Sequence, residues 1–185
     1  MKTKAKTRSA GKRKPARKAK PKTAARAVRK VAAIPPGYAS ITPYLIVQGG
    51  AAAVEFYKKA FGARQKVRID LPDGRIGHAE LRIGDSLIML ADEAPQHNAH
   101  SPASIGGTPV GIHLYVPNVD AVVERAVAAG ATLERPVKDQ FYGDRSGSLK
   151  DPYGHRWHVA THKEDVAAKE IRRRADAMMK EEAKG

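Results

Sequence analysis

Cysteine is absent from the 185-residue sequence. Its absence excludes disulfides, thiolate metal centres and cysteine nucleophiles, and it fits a reducing, cytoplasmic setting. Long apolar runs are missing too, since none approaches the roughly 20 residues of a membrane-spanning helix. The N-terminus lacks the apolar core of a secretory signal, so a soluble protein with no membrane partner is expected. No G-x-S-x-G, H-E-x-x-H or Walker loop occurs, which removes the commonest hydrolase, zinc-protease and nucleotide-binding signatures. Acids are missing from one region only. Residues 1–30 hold 14 of the 34 Lys and Arg and none of the 19 Asp and Glu. The net charge of +15 therefore belongs to the tail, and the remainder, with 20 basic and 19 acidic residues, is close to neutral.

What the tail contains is Lys, Arg, Ala, Thr and Pro, too little apolar surface to offset its ordering entropy, so residues 1–39 are expected to be a disordered tail and linker. The run 14–22, Lys-Pro-Ala-Arg-Lys-Ala-Lys-Pro-Lys, resembles the tails of linker-histone-like proteins. Lys12, Arg13, Lys14, Arg17, Lys18 and Lys20 are its candidate contacts to nucleic-acid phosphates, non-specific and salt-dependent. No aromatic residue stands among them to stack on bases. A solvated tail and a transit peptide are the competing readings.

The body runs from 40 to 162, with a charged amphipathic helix predicted over 165–184 inside a C-terminal segment of 163–185. Residues 41–47 predict a strand, Gly49-Gly50 breaks it, and apolar residues at 53, 54, 57, 60 and 61 have the helical period, closed by Gly62. Three strands follow over 66–71, 76–83 and 86–90, with turns at Pro72-Asp73-Gly74 and Gly84-Asp85. After a polar loop over 92–109 the order returns, with a strand at 111–116, a helix at 119–129 and strands at 132–137, 146–150 and 156–161. Val47 and Val116, Val54 and Val123, Glu55 and Glu124, and Ala60 and Ala129 correspond at an offset of 69 residues. The expectation is an α+β fold of two βαβββ modules, 40–92 and 110–162.

The second module closes on Asp151-Pro152-Tyr153-Gly154-His155-Arg156-Trp157-His158. Asp-Pro and Gly make a turn, and the alternation beyond it turns Trp157 and Val159 to the core and Arg156 and His158 to the opposite face. Tandem βαβββ modules ending in Asp-Pro-x-Gly-x-x-Trp resemble the vicinal oxygen chelate superfamily, the group of glyoxalase I, bleomycin-resistance proteins and extradiol dioxygenases. Thr42-Pro43-Tyr44-Leu45 and residues 151–162 resemble the branch of glyoxalase-like proteins related to phosphonate-operon and demethylubiquinone-methyltransferase-like proteins. The resemblance implies a curved eight-stranded cavity, frequently completed in a homodimer, and a small-molecule ligand. Superfamily enzymes place a divalent metal on one inward residue from each of four strands. Those places correspond here to Thr42, Met89, Gly111 and His158, of which only His158 is a usual ligand.

Alternation puts His78 and Glu80 on the cavity face of one strand, and His113 and Tyr115 on that of another. His78, Glu80, His113 and His158 are thus the candidate catalytic residues. Two readings stand: a displaced Zn, Fe or Ni site on His78, His113 and His158 or a His/Glu acid–base pair, or polar residues lining a wet cavity. Tyr44, Tyr115, Tyr142, Asp144 and Arg145 are candidate ligand contacts, with Arg145 as an anion clamp or as half of an ion pair pinning a hairpin. The functional readings are a lyase, isomerase or dioxygenase, a ligand-sequestering module of the resistance type, or a nucleic-acid accessory protein acting through its tail.

Overall fold

The computed structural model describes residues 31–183. The chain divides into residues 1–33 and 34–185. Of the first unit only 31–33 are described, as irregular backbone. The tail contacts expected at Lys12, Arg13, Lys14, Arg17, Lys18 and Lys20 lie outside the described residues.

The first module consists of β1 (Tyr44–Val47), α1 (Gly50–Phe61), β2 (Arg64–Asp70), β3 (Ile76–Ile83) and β4 (Ser86–Asp92). A 3-10 turn, Pro95–His97, and the short α2 (Pro102–Ile105) occupy the segment expected to be loop. Ser101 caps α2 and Pro102 supplies a first helical residue that has no N–H to satisfy. The second module repeats the order with β5 (Gly111–Tyr115), α3 (Val119–Ala128), β6 (Thr132–Asp139), β7 (Asp144–Lys150) and β8 (Arg156–His162). Helix α4 (Ala168–Glu182) follows. The eight strands form two four-stranded sheets, β1-β4-β3-β2 and β5-β8-β7-β6.

The internal repeat reaches the hydrogen bonds. Tyr44 stands opposite Met89 in the parallel β1–β4 pair, and His113 stands opposite His158 in β5–β8, at the same 69-residue offset. The helix starts correspond as well. Asp92 Oδ1 accepts from the Gly49 and Gly50 N–H groups at the head of α1, and Thr161 Oγ1 accepts from Val119 N at the head of α3. Each sheet thus caps its own helix, satisfying donors that no helical carbonyl reaches.

The two helices pack against one another and bury one face of each sheet. Val47, Val54, Leu81, Leu90, Leu149 and Val159 meet in a single core. Across the module boundary, Phe61 of α1 lies 4.5 Å from the Trp157 ring and Tyr57 lies 5.6 Å from it. Asp151 ties this junction together. Its buried carboxylate accepts from Tyr57 Oη at 2.7 Å, Trp157 Nε1 at 2.9 Å, and the Tyr153 and His155 N–H groups. The Asp-Pro-x-Gly turn therefore does more than reverse the chain. Gly154 adopts φ of 90°, a conformation that costs glycine little, and the turn sets the buried aspartate against the indole N–H. Burial, and then the neighbouring Asp151, push the Tyr57 hydroxyl well above its ordinary pKa, so it remains a donor.

Candidate functional site

With helices on one face of each sheet, the other face of each sheet carries the polar side chains. On the second sheet the pleat sends Asp144, Ser146 and Ser148 of β7 away from the helices while Leu149 enters the core. His158 of β8 and His113 of β5 stand on the same side. Their rings are nearly parallel with centroids 6.4 Å apart. Ser148 Oγ is 2.9 Å from His158 Nδ1, which fixes the ring. Gly111 leaves room for it, because a Cβ there would sit 2.6 Å from His158 Nε2.

A cavity of about 480 Å³ lies over this face. His113, His158, Ser146 and Ser148 line one side, and Arg135 and Lys138 of β6 enter from the neighbouring edge strand. Register sets Arg135 across from Ser148 and Lys138 across from Ser146. Phe141, Tyr142 and Met178 supply apolar surface, the last reaching over from α4. The helix is moored at its near end. Gly143 O accepts from the N–H groups of Lys163 and Glu164 at 2.9 and 3.0 Å, and Arg174 grips Glu164, Glu170 and the Phe141 carbonyl. At Gly143 any side chain would collide with the Glu164 carbonyl.

Beside the cavity, Asp144 Oδ2 accepts from Tyr115 Oη at 2.9 Å, and Asp144 Oδ1 is 2.7 Å from His162 Nδ1. The other nitrogen of His162 is 3.0 Å from Asp165, at the approach to α4. The hydrogen bond to Asp144, seconded by that to Asp165, raises the pKa of His162 above its ordinary 6.5. The same carboxylate raises that of Tyr115.

The outer face of the first sheet is differently occupied. Tyr44 Oη is 3.0 Å from His78 Nδ1, and His78 Nε2 is 3.4 Å from Glu80. Glu80 also accepts from Tyr38 Oη at 2.5 Å and pairs with Lys66 at 3.2 Å. Tyr38 follows the Pro35-Pro36-Gly37 turn, and Lys66 Nζ stacks 3.6 Å from its ring centroid. Hydrogen bonding from Tyr38, and then from Lys66 and His78, holds the Glu80 carboxyl below its ordinary pKa. Its lone pairs are committed to these three partners.

The sequence-predicted residues are thus split. Tyr44, His78 and Glu80 form one cluster, while His113, Tyr115, Asp144 and His158 lie on the other sheet and Tyr142 in its β6–β7 turn. The four candidate catalytic residues do not converge within the chain, and neither do His78, His113 and His158 as a metal trio, because they belong to separate sheets. Among the described residues no group of three or more His, Asp or Glu is placed to hold a metal ion. Of the two readings of Arg145, clamp or ion pair, the side chain is engaged in ion pairs. Strand alternation turns it from Asp144 to the helix side, where it grips Asp120 of α3 at 2.7 and 2.8 Å and Asp139 at 3.3 Å. Tyr38, Lys66, Arg135, Lys138, Ser146, Ser148 and Met178 were not anticipated. Only the alternating Ser146-Gly147-Ser148 offered a readable signal.

A sequence profile for the Glyoxalase/Bleomycin resistance protein/Dioxygenase superfamily matches residues 38–159. The chain belongs to that superfamily. Uncharacterized protein Mb0911c of Mycobacterium bovis is 44% identical over 135 residues, which cover 71% of this chain and 89% of the relative. Among solved structures, TioX from Micromonospora sp. ML1 aligns with a TM-score of 0.55 at 26% identity, over 67% of this chain and 98% of TioX. The PhnB protein of Bacillus cereus, a putative 3-demethylubiquinone-9 3-methyltransferase, shares the fold with a TM-score of 0.53 at 20% identity, over 66% and 99% of the two chains. Against the superfamily's metal positions this member has a poor donor set. Thr42, Met89 and Gly111 offer no imidazole or carboxylate, which leaves His158 as the single usual ligand of the four. The residues present in one chain do not fit the usual divalent metal.

Proposed function

We propose that this glyoxalase-superfamily protein is a binding module that takes up a small molecule in the cavity between the β5-β8-β7-β6 face and α4. The observation that carries the reading is the cavity itself, floored by His113, His158, Ser146 and Ser148 and roofed in part by Met178. Its volume falls within the roughly 300–1,000 Å³ of small-molecule sites, and it combines apolar walls with a few convergent polar groups. The depression at the head of α1 is less suited to a ligand, because Asp92 already satisfies the Gly49, Gly50 and Ile76 N–H groups.

Sequestration of the resistance type fits this donor set better than lyase, isomerase or dioxygenase chemistry. The catalytic alternative rests on the imidazole pair alone, in which His158, oriented by Ser148, would move a proton. A homodimer is part of the proposal, since the exposed sheet faces carry Tyr44 and Tyr115 at 49% and 60% exposure. A second copy would bring two such faces together. The basic tail supports a separate nucleic-acid contact, to be tested by the salt dependence of DNA binding with and without residues 1–30. Among the described residues no helix is long and apolar enough to cross a membrane, and the lack of cysteine suits the cytoplasm.

The test is a thermal-shift screen of small-molecule libraries. A ligand at a hundred times its Kd should stabilise the fold by about 2.7 kcal/mol, and His158→Ala should abolish the shift. Turnover dependent on one bound metal per chain, lost in His158→Ala, would contradict sequestration.

A further inference from the structure

We infer that the ligand of this cavity is a small organic anion with an apolar body, its oxyanion held at the Arg135–Ser148–His158 end. The inference rests on the cavity being a ligand site, as proposed above, and adds the chemical class. No carboxylate lines the cavity. Two cations do, and among the described residues neither Arg135 nor Lys138 forms an ion pair. The neighbouring arginines differ, since Arg145 is tied to Asp120 and Asp139, and Arg174 to Glu164 and Glu170. A guanidinium and an ammonium left unpaired beside two serine hydroxyls and two imidazoles present donors that only an acceptor-rich group can satisfy together.

The polarity of the cavity gives a direction as well. Arg135, Ser148 and His158 also border the adjoining depression, where Arg156 adds a further cation, though Glu134 lies 3.3 Å from it and offsets that charge. At the other end Tyr142 borders the depression that holds Asp144 and Asp165, two carboxylates against the single imidazole of His162. An anion is therefore drawn to the first end and repelled from the second. Between them Phe141, Tyr142 and Met178 offer an apolar slot, with the Phe141 and Tyr142 rings edge to face at 5.2 Å. An aryl or branched alkyl body fits that slot.

Three matched probes test this: naphthoate, naphthyl phosphate and neutral naphthamide, titrated calorimetrically into full-length wild type and the Arg135→Gln/Lys138→Gln double variant. Both positions are exposed on an edge strand, so the variant keeps its fold. The expected result is at least about tenfold tighter binding of an anionic probe than of naphthamide, lost in the variant. Preference for naphthoate over naphthyl phosphate, or the reverse, assigns the oxyanion as carboxylate or phosphate. Equal affinity for naphthamide would overturn the anionic class and leave the ligand-binding reading intact. An anion preference unchanged in the variant would overturn it too, placing the anion on other basic residues. No binding of any probe at millimolar concentration would also overturn it, while the library screen would still judge the cavity as a site.

Discussion

Gly111 lies directly beneath the His158 imidazole, so close that an added Cβ would stand 2.6 Å from Nε2. In this superfamily frame Gly111 occupies a metal-ligand position, and the ring of His158 has taken the space a side chain there would fill. Gly111→Ala should swing His158 away from Ser148, at a cost of about 1 kcal/mol for the lost hydrogen bond. Histidine ring resonances and denaturant unfolding of the variant read this out. An unshifted His158 would show the site to be less tightly packed than the geometry implies.

Asp151 is the aspartate on which the module junction depends. Replacing it with Ala leaves the Tyr57 hydroxyl, the Trp157 indole N–H and two backbone N–H groups without their acceptor. Asp151→Ala should destabilise the protein by about 3 kcal/mol or more in chemical denaturation. Tyr57→Phe, which removes one donor of four, should cost about 1 kcal/mol.

His162 makes part of the stability pH-dependent. Its pKa is raised in the folded state, chiefly by Asp144 and then by Asp165. A raised pKa means the folded protein holds the proton more tightly, so the stabilisation is complete below about 6.5 and fades as pH rises through the folded value. Denaturation midpoints should fall over that window in wild type, and His162→Gln should flatten that part of the profile. Equal slopes in the two proteins would count against the His162 bridge.

Helix α4 contributes nothing to the core cluster, yet Met178 reaches the cavity. A chain ending after Ala167 should fold with little change in unfolding cooperativity. Its affinity for an apolar anion should drop by about tenfold, in line with the loss of the apolar contact that Met178 makes with the ligand. Calorimetric titration with naphthoate compares the two chains.

Most of the fold was legible in the sequence because its signals were local. The apolar period of 53–61, the turn at Pro72-Asp73-Gly74 and the Asp-Pro-x-Gly turn each depend on neighbouring residues, and the 69-residue repeat linked the halves. The site was legible only in part. Alternation placed His113, His158 and Tyr115 on the correct face, but nothing local said that His78 and Glu80 lie on another sheet. Arg145 forms an ion pair, one of its two readings, but not with the adjacent Asp144, because a strand sends adjacent residues to opposite faces. Its partner, Asp120, is 25 residues away on α3. Tyr38 and Met178 reach their faces from outside the repeat, one from a stretch that composition marked as linker and one from a helix whose docking depends on Gly143.

The most direct measurement is an amide NMR titration of the full chain with naphthoate. The account predicts shifts concentrated in β6, β7 and β8, at Arg135, Ser146, Ser148 and His158, and around Met178 of α4. Shifts centred on Tyr38, His78 and Glu80, or an absence of saturable shifts in the second sheet, would contradict it.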